Sequence, residues 1–385
     1  MKTLQGNPIN INHDIIGKIT YSSRFLLSRR NMVYVSMHNA LPKGFAAIVT
    51  NNSREQLVGV GSRHTPIVCG VDGMDSLRND DIVCINPDGA VTILFKKGHN
   101  DNALLITEKC NCSCIMCPQP PSSGETDKTD FNLKVISLMD RATLFLGLTG
   151  GEPTLLGDKF IEILQACKVR LPRAEINLLT NGIAFASMDF AEKVCVVQHP
   201  NLTIDIPLYA DTDTEHNKIV KASSFYKIIQ SLYNLAILKQ RVGIRIVIIK
   251  QNSNRLKAIA EFIYRNFPFV IHIAFMQMEP VGLAKENINN LWVDPNDYAQ
   301  DLGDAVMYLA MRDMNVSIYN SQLCVLPKSL WKFSRKSISS WKNIYLNECQ
   351  GCINMNECGG FFSSSGEFHS AYIKAFKEEE KEKEK

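Results

Sequence analysis

The stretch ALLITEKCNCSCIMC, residues 103–117, decides the fold of this chain. Residues 103–107 are an apolar run that predicts a β-strand, and the eight residues that follow Lys109 contain four cysteines. Active sites of (βα) barrels lie on the loops that leave the carboxyl ends of the strands. Thiolates at positions i, i+4 and i+7 allow one short loop to supply three ligands to an iron–sulfur cluster or zinc.

Cys112 complicates this interpretation. It adds a fourth thiolate between Cys110 and Cys114, and four thiolates can close a zinc site or a fully ligated cluster. Spacing alone separates zinc from iron–sulfur sites poorly, so a fully ligated structural metal site remains an alternative at this point.

After residue 102, apolar strand-like runs alternate with longer helical patterns, which is typical of βα units and a parallel sheet. The sequence therefore predicts an α/β fold, a partial (βα)6 TIM-like barrel over residues 100–314. Residues 1–99 contain short β-type runs and predict a β-rich N-terminal domain. Residues 315–370 form a cysteine-rich extension, and residues 371–385 form a charged tail. The predicted barrel strands are 103–107, 144–148, 175–179, 202–208, 243–249 and 270–275, and the predicted helices are 133–141, 159–170, 190–194, 225–239, 255–265 and 296–311.

Composition narrows the function classes. The 385 residues are 45% hydrophobic and 21% charged with a net charge of +3, which fits a globular protein and makes nucleic acid an unlikely partner. Neither a signal peptide nor an apolar run of about 18 residues is visible, so a cytoplasmic protein without membrane contact is expected. Twelve cysteines in a reducing compartment favour metal binding over disulfides.

A second motif, Thr149-Gly150-Gly151-Glu152-Pro153, follows the second predicted barrel strand at the same rim as the cysteines. Two glycines allow close approach of the backbone to a ligand, and the glutamate can accept a hydrogen bond from an ammonium group.

The cysteine spacing and the Gly-Gly-Glu-Pro motif together resemble the radical S-adenosylmethionine (SAM) superfamily. The resemblance implies that Cys110, Cys114 and Cys117 hold a [4Fe-4S] cluster whose open iron binds SAM. It further implies SAM contacts from residues that follow the barrel strands: Gly150, Gly151, Glu152, Pro153, Asn181 and Asp211. Arg245, a charged residue within the otherwise apolar fifth strand, either points into the barrel and pairs with the SAM carboxylate or extends from the strand edge.

Four more cysteines lie near the C-terminus: Cys324, Cys349, Cys352 and Cys358. Four thiolates suit a tetrahedral zinc or a second, auxiliary [4Fe-4S] cluster, and the radical SAM context favours the cluster. Several segments resemble the C-type radical SAM maturase of His-Xaa-Ser peptide systems: residues 107–121, 207–211, 291–298, 318–324, 337–343 and 358–364.

That second resemblance implies a ribosomally made precursor peptide as substrate, a partner radical SAM maturase, and a flavodoxin or ferredoxin as reductant. Two alternatives remain: a radical SAM enzyme acting on a nucleoside, tRNA or small metabolite, and a non-catalytic peptide-binding protein stabilised by zinc. The N-terminal domain is a candidate for precursor recognition by strand addition at a sheet edge.

Overall fold

The computed structural model describes residues 2–24, 29–37, 41–57, 65–122, 127–336, 343–366 and 368–377. Two eight-stranded sheets organise these residues, one in the N-terminal quarter and one in the rest of the chain. Part of the motif at 337–343 and residues 378–385 of the charged tail lie outside the described residues.

The N-terminal sheet has the strand order β1-β8-β7-β3-β4-β5-β6-β2. Its two outer strands, β1 and β2, are consecutive in the chain and separated only by Gly6. A Cβ at Gly6 would lie 2.6 Å from Val68 Cγ1, so glycine is needed where the chain bends from one end of the sheet to the other. The strands are β1 (Thr3–Gln5), β2 (Asn7–Ile9), β3 (Ile15–Thr20), β4 (Met32–Ser36), β5 (Ala47–Thr50), β6 (Ile67–Cys69), β7 (Ile82–Ile85) and β8 (Ala90–Phe95).

This closure bears on how the domain can bind a partner. A free edge strand is what an incoming peptide strand requires, and here each outer strand is only three residues long and belongs to the segment that joins the two ends of the sheet. The fold therefore gives no support to precursor recognition by strand addition at this sheet.

The second sheet is entirely parallel, with β9 to β16 in chain order. Helices connect the strands, as parallel pairing requires. The strands are β9 (Ala103–Leu105), β10 (Phe145–Thr149), β11 (Glu175–Leu179), β12 (Leu202–Pro207), β13 (Arg241–Ile248), β14 (His272–Gln277), β15 (Val316–Tyr319) and β16 (Ser334–Arg335). The helices are α1 (Thr129–Leu138), α2 (Asp158–Arg170), α3 (Met188–Val196), α4 (Asp213–Val220), α5 (Phe225–Ile237), α6 (Leu256–Asn266), α7 (Leu283–Glu286), α8 (Ile288–Leu291) and α9 (Ala299–Ala310).

The predicted α/β class with a partial TIM-like barrel and a β-rich N-terminal part is confirmed. The sheet has two more strands, β15 and β16, than the six that the sequence predicts. They were missed because they are only four and two residues long and lie in the cysteine-rich region. Three helices of four to eight residues, α4, α7 and α8, were also missed. The longest described helices, α2 and α5, have 13 residues each, and none of the described helices is a candidate membrane span.

The main hydrophobic core lies between the parallel sheet and its helices, with fully buried side chains such as Phe160, Phe185, Phe267 and Phe275. Two residues of the N-terminal sheet, Ile82 and Phe95, belong to the same core. The two parts of the chain therefore pack together rather than being joined by a bare linker.

Candidate active site at the carboxyl rim of the barrel

The loop with the four cysteines leaves β9 at the carboxyl end of the parallel sheet and runs alongside the loop that follows β10. Ile106 donates its N–H to Thr149 O at 2.7 Å, Gly151 donates to Thr107 O at 2.7 Å, and Glu152 donates to Lys109 O at 2.7 Å. These bonds continue the pairing of β9 and β10 past the ends of both strands. The cysteine loop therefore begins from a fixed backbone position.

The two glycines of this motif are required by the cysteine loop itself. A Cβ at Gly150 would lie 2.3 Å from Thr107 O, and a Cβ at Gly151 would lie 2.2 Å from Lys109 O. Real side chains do not approach a carbonyl oxygen this closely, so any larger residue would force the two loops apart. The sequence suggested that these glycines allow a ligand to approach the backbone. The geometry shows that they are already needed for the two loops to pack against each other.

Two further segments hold the far side of the cysteine loop. The N–H groups of Ser113 and Ile115 bond the last turn of α4 at 3.2 and 3.0 Å. Leu283 N–H donates to Cys117 O at 2.9 Å, and Gly282 is close enough that a Cβ would lie 2.6 Å from Pro118 O. The loop thus has backbone contacts on both flanks before any ligand binds.

Glu152 lies at the centre of the rim with no solvent exposure. Its Oε1 accepts from Thr154 N–H at 3.0 Å, from the Thr154 hydroxyl at 2.5 Å and from the Thr180 hydroxyl at 2.7 Å, and its Oε2 accepts from Asn181 N–H at 2.5 Å. Burial raises the pKa of this carboxyl, although the hydrogen bonds oppose the shift. The side chain connects the loops after β10 and β11, and these contacts occupy both of its oxygens.

Asn181 connects the third strand to the cysteines. Its side-chain amide donates to Asn111 Oδ1 at 2.6 Å and lies 3.6 Å from Cys112 Sγ and 4.0 Å from Cys110 Sγ. The structure therefore brings the cysteine loop, the Gly-Gly-Glu-Pro segment and Asn181 together at one rim.

The three predicted ligand cysteines are half-buried, whereas Cys112 is buried. The pKa of Cys110 is lowered from 9.0 to about 7, chiefly because the Cys112 side chain hydrogen-bonds to it, and the Cys112 N–H adds a contact at 3.4 Å. The same bond raises the pKa of Cys112, so the geometry favours a thiolate at Cys110 and a neutral thiol at Cys112.

Burial, together with the charges of Cys117 and Cys110, raises the pKa of Cys114 to about 12. The pKa of Cys117 is raised by burial and by Cys110. Three thiols that repel one another as thiolates need a cation to be deprotonated together, and a metal cluster supplies that charge.

No group of three or more His, Cys, Asp and Glu side chains in the described ranges is gathered tightly enough to hold a single metal ion. Ligands of one ion share a single centre, whereas each cysteine of a cubane binds a different iron, so the sulfurs of a cubane lie further apart. Three soft thiolate donors on one short loop suit the chemistry of an iron–sulfur cluster.

The remaining predicted SAM contacts lie on the neighbouring strands. Asp211 follows β12, and its carboxylate accepts two hydrogen bonds from the Arg255 guanidinium, at 2.9 and 2.7 Å. Arg245 on β13 lines the barrel interior, and its hydrogen bond to Met276 Sδ at 3.3 Å is the one found for it among the described residues. Arg245 is thus the cation of the predicted set with donors left for an anionic ligand.

The four C-terminal cysteines also lie near one another. After burial as the main cause, the charges of Cys358 and Cys349 raise the pKa of Cys324, and those of Cys358 and Cys352 raise the pKa of Cys349. Backbone contacts hold this region: Gln322 Nε2 donates to Gly360 O at 2.6 Å, and a Cβ at Gly359 would lie 2.5 Å from Ser321 O. A segment that returns toward these cysteines, residues 368–377, adds a contact between Phe376 N–H and Cys352 Sγ at 3.4 Å.

Sequence reasoning missed Asp205, an acidic residue on the inward face of β12 that lines the barrel cavity. The available signal was a carboxylate in the middle of the apolar strand Leu202–Pro207. It is the same kind of signal that singled out Arg245 on the next strand.

In a comparison with known protein families, the model of the radical SAM superfamily matches residues 104–263. Among curated proteins, the chain is 23% identical over 194 residues to a GTP 3',8-cyclase of Desulforamulus reducens, covering 49% of this chain and 58% of that protein. A GTP 3',8-cyclase of Streptomyces coelicolor is 28% identical over 127 residues, covering 31% and 37%. The chain thus spans little more than half the length of the first of these relatives and about a third of the second.

Among solved structures, SuiB of Streptococcus suis bound to S-adenosylmethionine aligns with a TM-score of 0.48 and 15% identity, over 63% of this chain and 54% of that one. The structure titled native anSMEcpe with bound AdoMet and Cp18Cys peptide aligns with a TM-score of 0.45 and 16% identity, over 56% and 62%.

Proposed function

We propose, from the premise that residues 104–263 belong to the radical SAM superfamily, that this chain cleaves SAM reductively to modify a ribosomally synthesised peptide. The observation that carries the proposal is the cysteine loop itself. This loop follows β9 at the carboxyl rim and carries three half-buried thiols. Hydrogen bonds join it to the loop after β10 and, through Asn181, to the loop after β11.

In this proposal Cys110, Cys114 and Cys117 bind a [4Fe-4S] cluster. When bound, the reduced cluster and SAM supply a 5'-deoxyadenosyl radical that abstracts a hydrogen atom from the substrate. Cys112 stays outside the ligand set and donates a hydrogen bond to Cys110, which stabilises the thiolate form of that ligand.

The chain's other groups bind and orient SAM. The backbone of Gly150, Gly151 and Pro153 lies beside the cysteine loop and is proposed to meet the SAM amino group. Glu152 holds that segment in place, because its two oxygens already accept four hydrogen bonds. Arg245 has guanidinium donors directed into the barrel cavity and is proposed to bind the SAM carboxylate.

Asn181 and Asp211 complete the proposed set at the rim. Asn181 is proposed to position the cysteine loop next to SAM. Asp211 is paired with Arg255, and the pair is proposed to face the ribose side.

The peptide substrate is proposed from the sequence segments that resemble the C-type maturase of His-Xaa-Ser systems, together with the second group of cysteines. Cys324, Cys349, Cys352 and Cys358 are proposed to hold an auxiliary [4Fe-4S] cluster. The proposed partners are the precursor peptide, a second radical SAM maturase, and a flavodoxin or ferredoxin that delivers the electron.

A second candidate function has its own support. Both curated relatives are GTP 3',8-cyclases, so a nucleotide is the alternative substrate class. Their low identity and partial coverage leave the substrate of this chain to experiment.

The test is anaerobic reconstitution with iron and sulfide, followed by iron counting and dithionite-dependent SAM cleavage. About eight irons per chain are expected, falling to about four with cleavage lost in Cys110→Ala/Cys114→Ala/Cys117→Ala. Cys195→Ala is the matched control, since this half-buried cysteine lies on α3 outside both groups. Bound zinc without SAM cleavage would refute the proposal.

The substrate class is decided by a second arm with the same preparation. A synthetic peptide with His-Xaa-Ser repeats and GTP are each incubated with SAM and reductant, and the products are analysed by mass spectrometry. A mass change confined to the peptide supports the maturase proposal. Conversion of GTP while the peptide stays unchanged would refute the maturase proposal and support a nucleotide substrate.

A further inference from the structure

The interior of the parallel barrel contains a cavity of about 590 Å³ below the rim. Barrel interiors are usually filled by bulky branched side chains. Here the inward positions of β13 and β14 include Gly243 and Ala274, which leave the space open. Its lining combines apolar surface with several polar and charged side chains, which is unusual for a packed core and is the combination found in ligand sites.

Asp205 lines this cavity from the middle of β12, and Glu175, at the start of β11, is the other acidic residue of the lining. Asp205 Oδ2 accepts a hydrogen bond from Asn177 Nδ2 at 3.0 Å, which fixes the carboxylate in one orientation. Within the described ranges, Oδ1 accepts no hydrogen bond and the carboxylate has no ion-pair partner. The carboxylate therefore retains both an acceptor oxygen and a negative charge for a ligand.

Gly243 makes this position of Asp205 possible. The two residues are register partners on β12 and β13, and a Cβ at Gly243 would lie 2.1 Å from Asp205 Oδ1. Any other residue at position 243 would expel the carboxylate oxygen from its place. A glycine in the interior of a strand costs stability, so its presence under a carboxylate points to a use for that oxygen.

The groups near Asp205 include a neutral imidazole and an unpartnered hydroxyl. Burial lowers the pKa of His272, and its Nε2 lies 3.0 Å from the Ser317 hydroxyl, so the imidazole stays neutral near pH 7. Thr203, one inward position earlier on β12, is 5% exposed, and its hydroxyl has no hydrogen-bond partner in the part of the chain that the structure describes. Thr203 and Asp205 both line the cavity.

Three cations also line the cavity, Arg241, Arg245 and Lys336, and none of them forms an ion pair with Asp205 among the described residues. Arg245 pairs in register with Pro207, two residues beyond Asp205 along β12, which is about 7 Å closer to the rim. Arg241 pairs in register with Thr203, on the other side of Asp205 along β12, so the carboxylate lies between two levels that carry arginines. The Arg245 level is suited to an anion, and the free oxygen of Asp205 is suited to a hydrogen-bond donor.

We propose that Asp205, with Asn177 and Thr203, forms a pocket that binds a hydrogen-bond-donating side chain of the substrate, of the imidazole or ammonium class. The identification of the ligand as a peptide side chain rests on the proposed function. The pocket itself rests on the Asp205 carboxylate over Gly243 and on the unpartnered Thr203 hydroxyl.

The test uses side-chain analogues as probes on the full-length reconstituted protein. 4-Methylimidazole and n-butylammonium are each titrated into the protein in a calorimeter. The dissociation constant of each probe should be at least tenfold higher for Asp205→Ala than for the wild type. The carboxylate Asp189→Ala, exposed on α3, is the matched control and should bind both probes as the wild type does. Acetate binding should not weaken in Asp205→Ala, because the pocket does not select anions.

Two further variants keep the test decisive if Asp205→Ala fails to fold. Asp205→Asn keeps the shape and removes the charge, and Gly243→Ala fills the space over Oδ1; each should weaken n-butylammonium binding. Unchanged affinity in these variants, or an equal loss in Asp189→Ala, would overturn the proposal. SAM cleavage by the wild type tests the proposed function separately. If the protein binds the probes through Asp205 but does not cleave SAM, the proposed function is refuted and the pocket is not.

Discussion

The carboxylate of Glu152 accepts a hydrogen bond from the backbone N–H of Asn181 at 2.5 Å, although the two residues are 29 positions apart in the sequence. Together with the Thr180 hydroxyl, this contact fixes the loops after β10 and β11 relative to each other. Because Asn181 also contacts Asn111 on the cysteine loop, the carboxylate lies at the centre of the whole rim.

Glu152→Gln tests that role. The amide keeps the size of the side chain but replaces one acceptor oxygen by an NH₂ group, which would face donors such as Asn181 N–H or Thr154 N–H. We expect a loss of about 1–3 kcal/mol in the free energy of unfolding, measured by urea denaturation. Glu162→Gln, on the exposed side of α2, should change little, and equal stability of the two variants would contradict the assigned role.

Gly151→Ala tests the packing of the two rim loops. The added methyl group would lie 2.2 Å from Lys109 O, so the cysteine loop must move. We expect iron per chain to fall by as many as about four, with the C-terminal cysteines still loaded.

The matched control for this change is Gly303→Ala on α9. Its added Cβ would lie 3.7 Å from Leu330 Cδ1, an ordinary contact, and alanine favours a helix over glycine by about 0.5–1 kcal/mol. Iron content should therefore be unchanged. A full complement of iron in Gly151→Ala would show that the loops tolerate the separation.

Metal-free protein should show an unusual order of cysteine reactivity. With a pKa of about 7, Cys110 should be the first of the ligand cysteines to react with iodoacetamide, because the thiolate is the nucleophile. Its rate should rise as the pH increases through 7, while Cys114, with a pKa of about 12, stays slow. Peptide mass spectrometry after timed alkylation measures both rates.

Cys112→Ala is the companion variant. It removes the hydrogen bond that is the largest cause of the low pKa of Cys110, so the midpoint for alkylation of Cys110 should shift upward toward 9.0. Cys112→Ser keeps a donor at the same place and should retain much of the shift. An unchanged midpoint in Cys112→Ala would assign the low pKa to another group.

The returning segment over the C-terminal cysteines gives a fourth prediction. The ring of Phe376 packs against Trp331 with centroids 5.2 Å apart, and its N–H contacts Cys352 Sγ. Phe376→Ala should release this segment and speed the loss of metal from the second site to a chelator, followed by absorbance. Tyr372→Ala, 58% exposed in the same segment, should retain the wild-type rate; an equal acceleration would remove the specific role of Phe376.

The sequence by itself determined the barrel strands, the position of the cysteine loop after β9 and the order of the rim motifs, because these depend on local apolar runs and spacing. For Arg245 it left two alternatives, and the structure selects the inward one. The sequence did not predict β15, β16 or the short helix α4, since elements this short lack a periodic signal.

Only the tertiary structure decided how those pieces act on one another. The need for Gly151, the capture of Glu152 by Thr180 and Asn181, and the space over Gly243 for Asp205 all arise between residues far apart in the chain. Closure of the N-terminal sheet at Gly6 is of the same kind. Such contacts depend on how strands and loops meet in three dimensions, which local propensity and spacing do not encode.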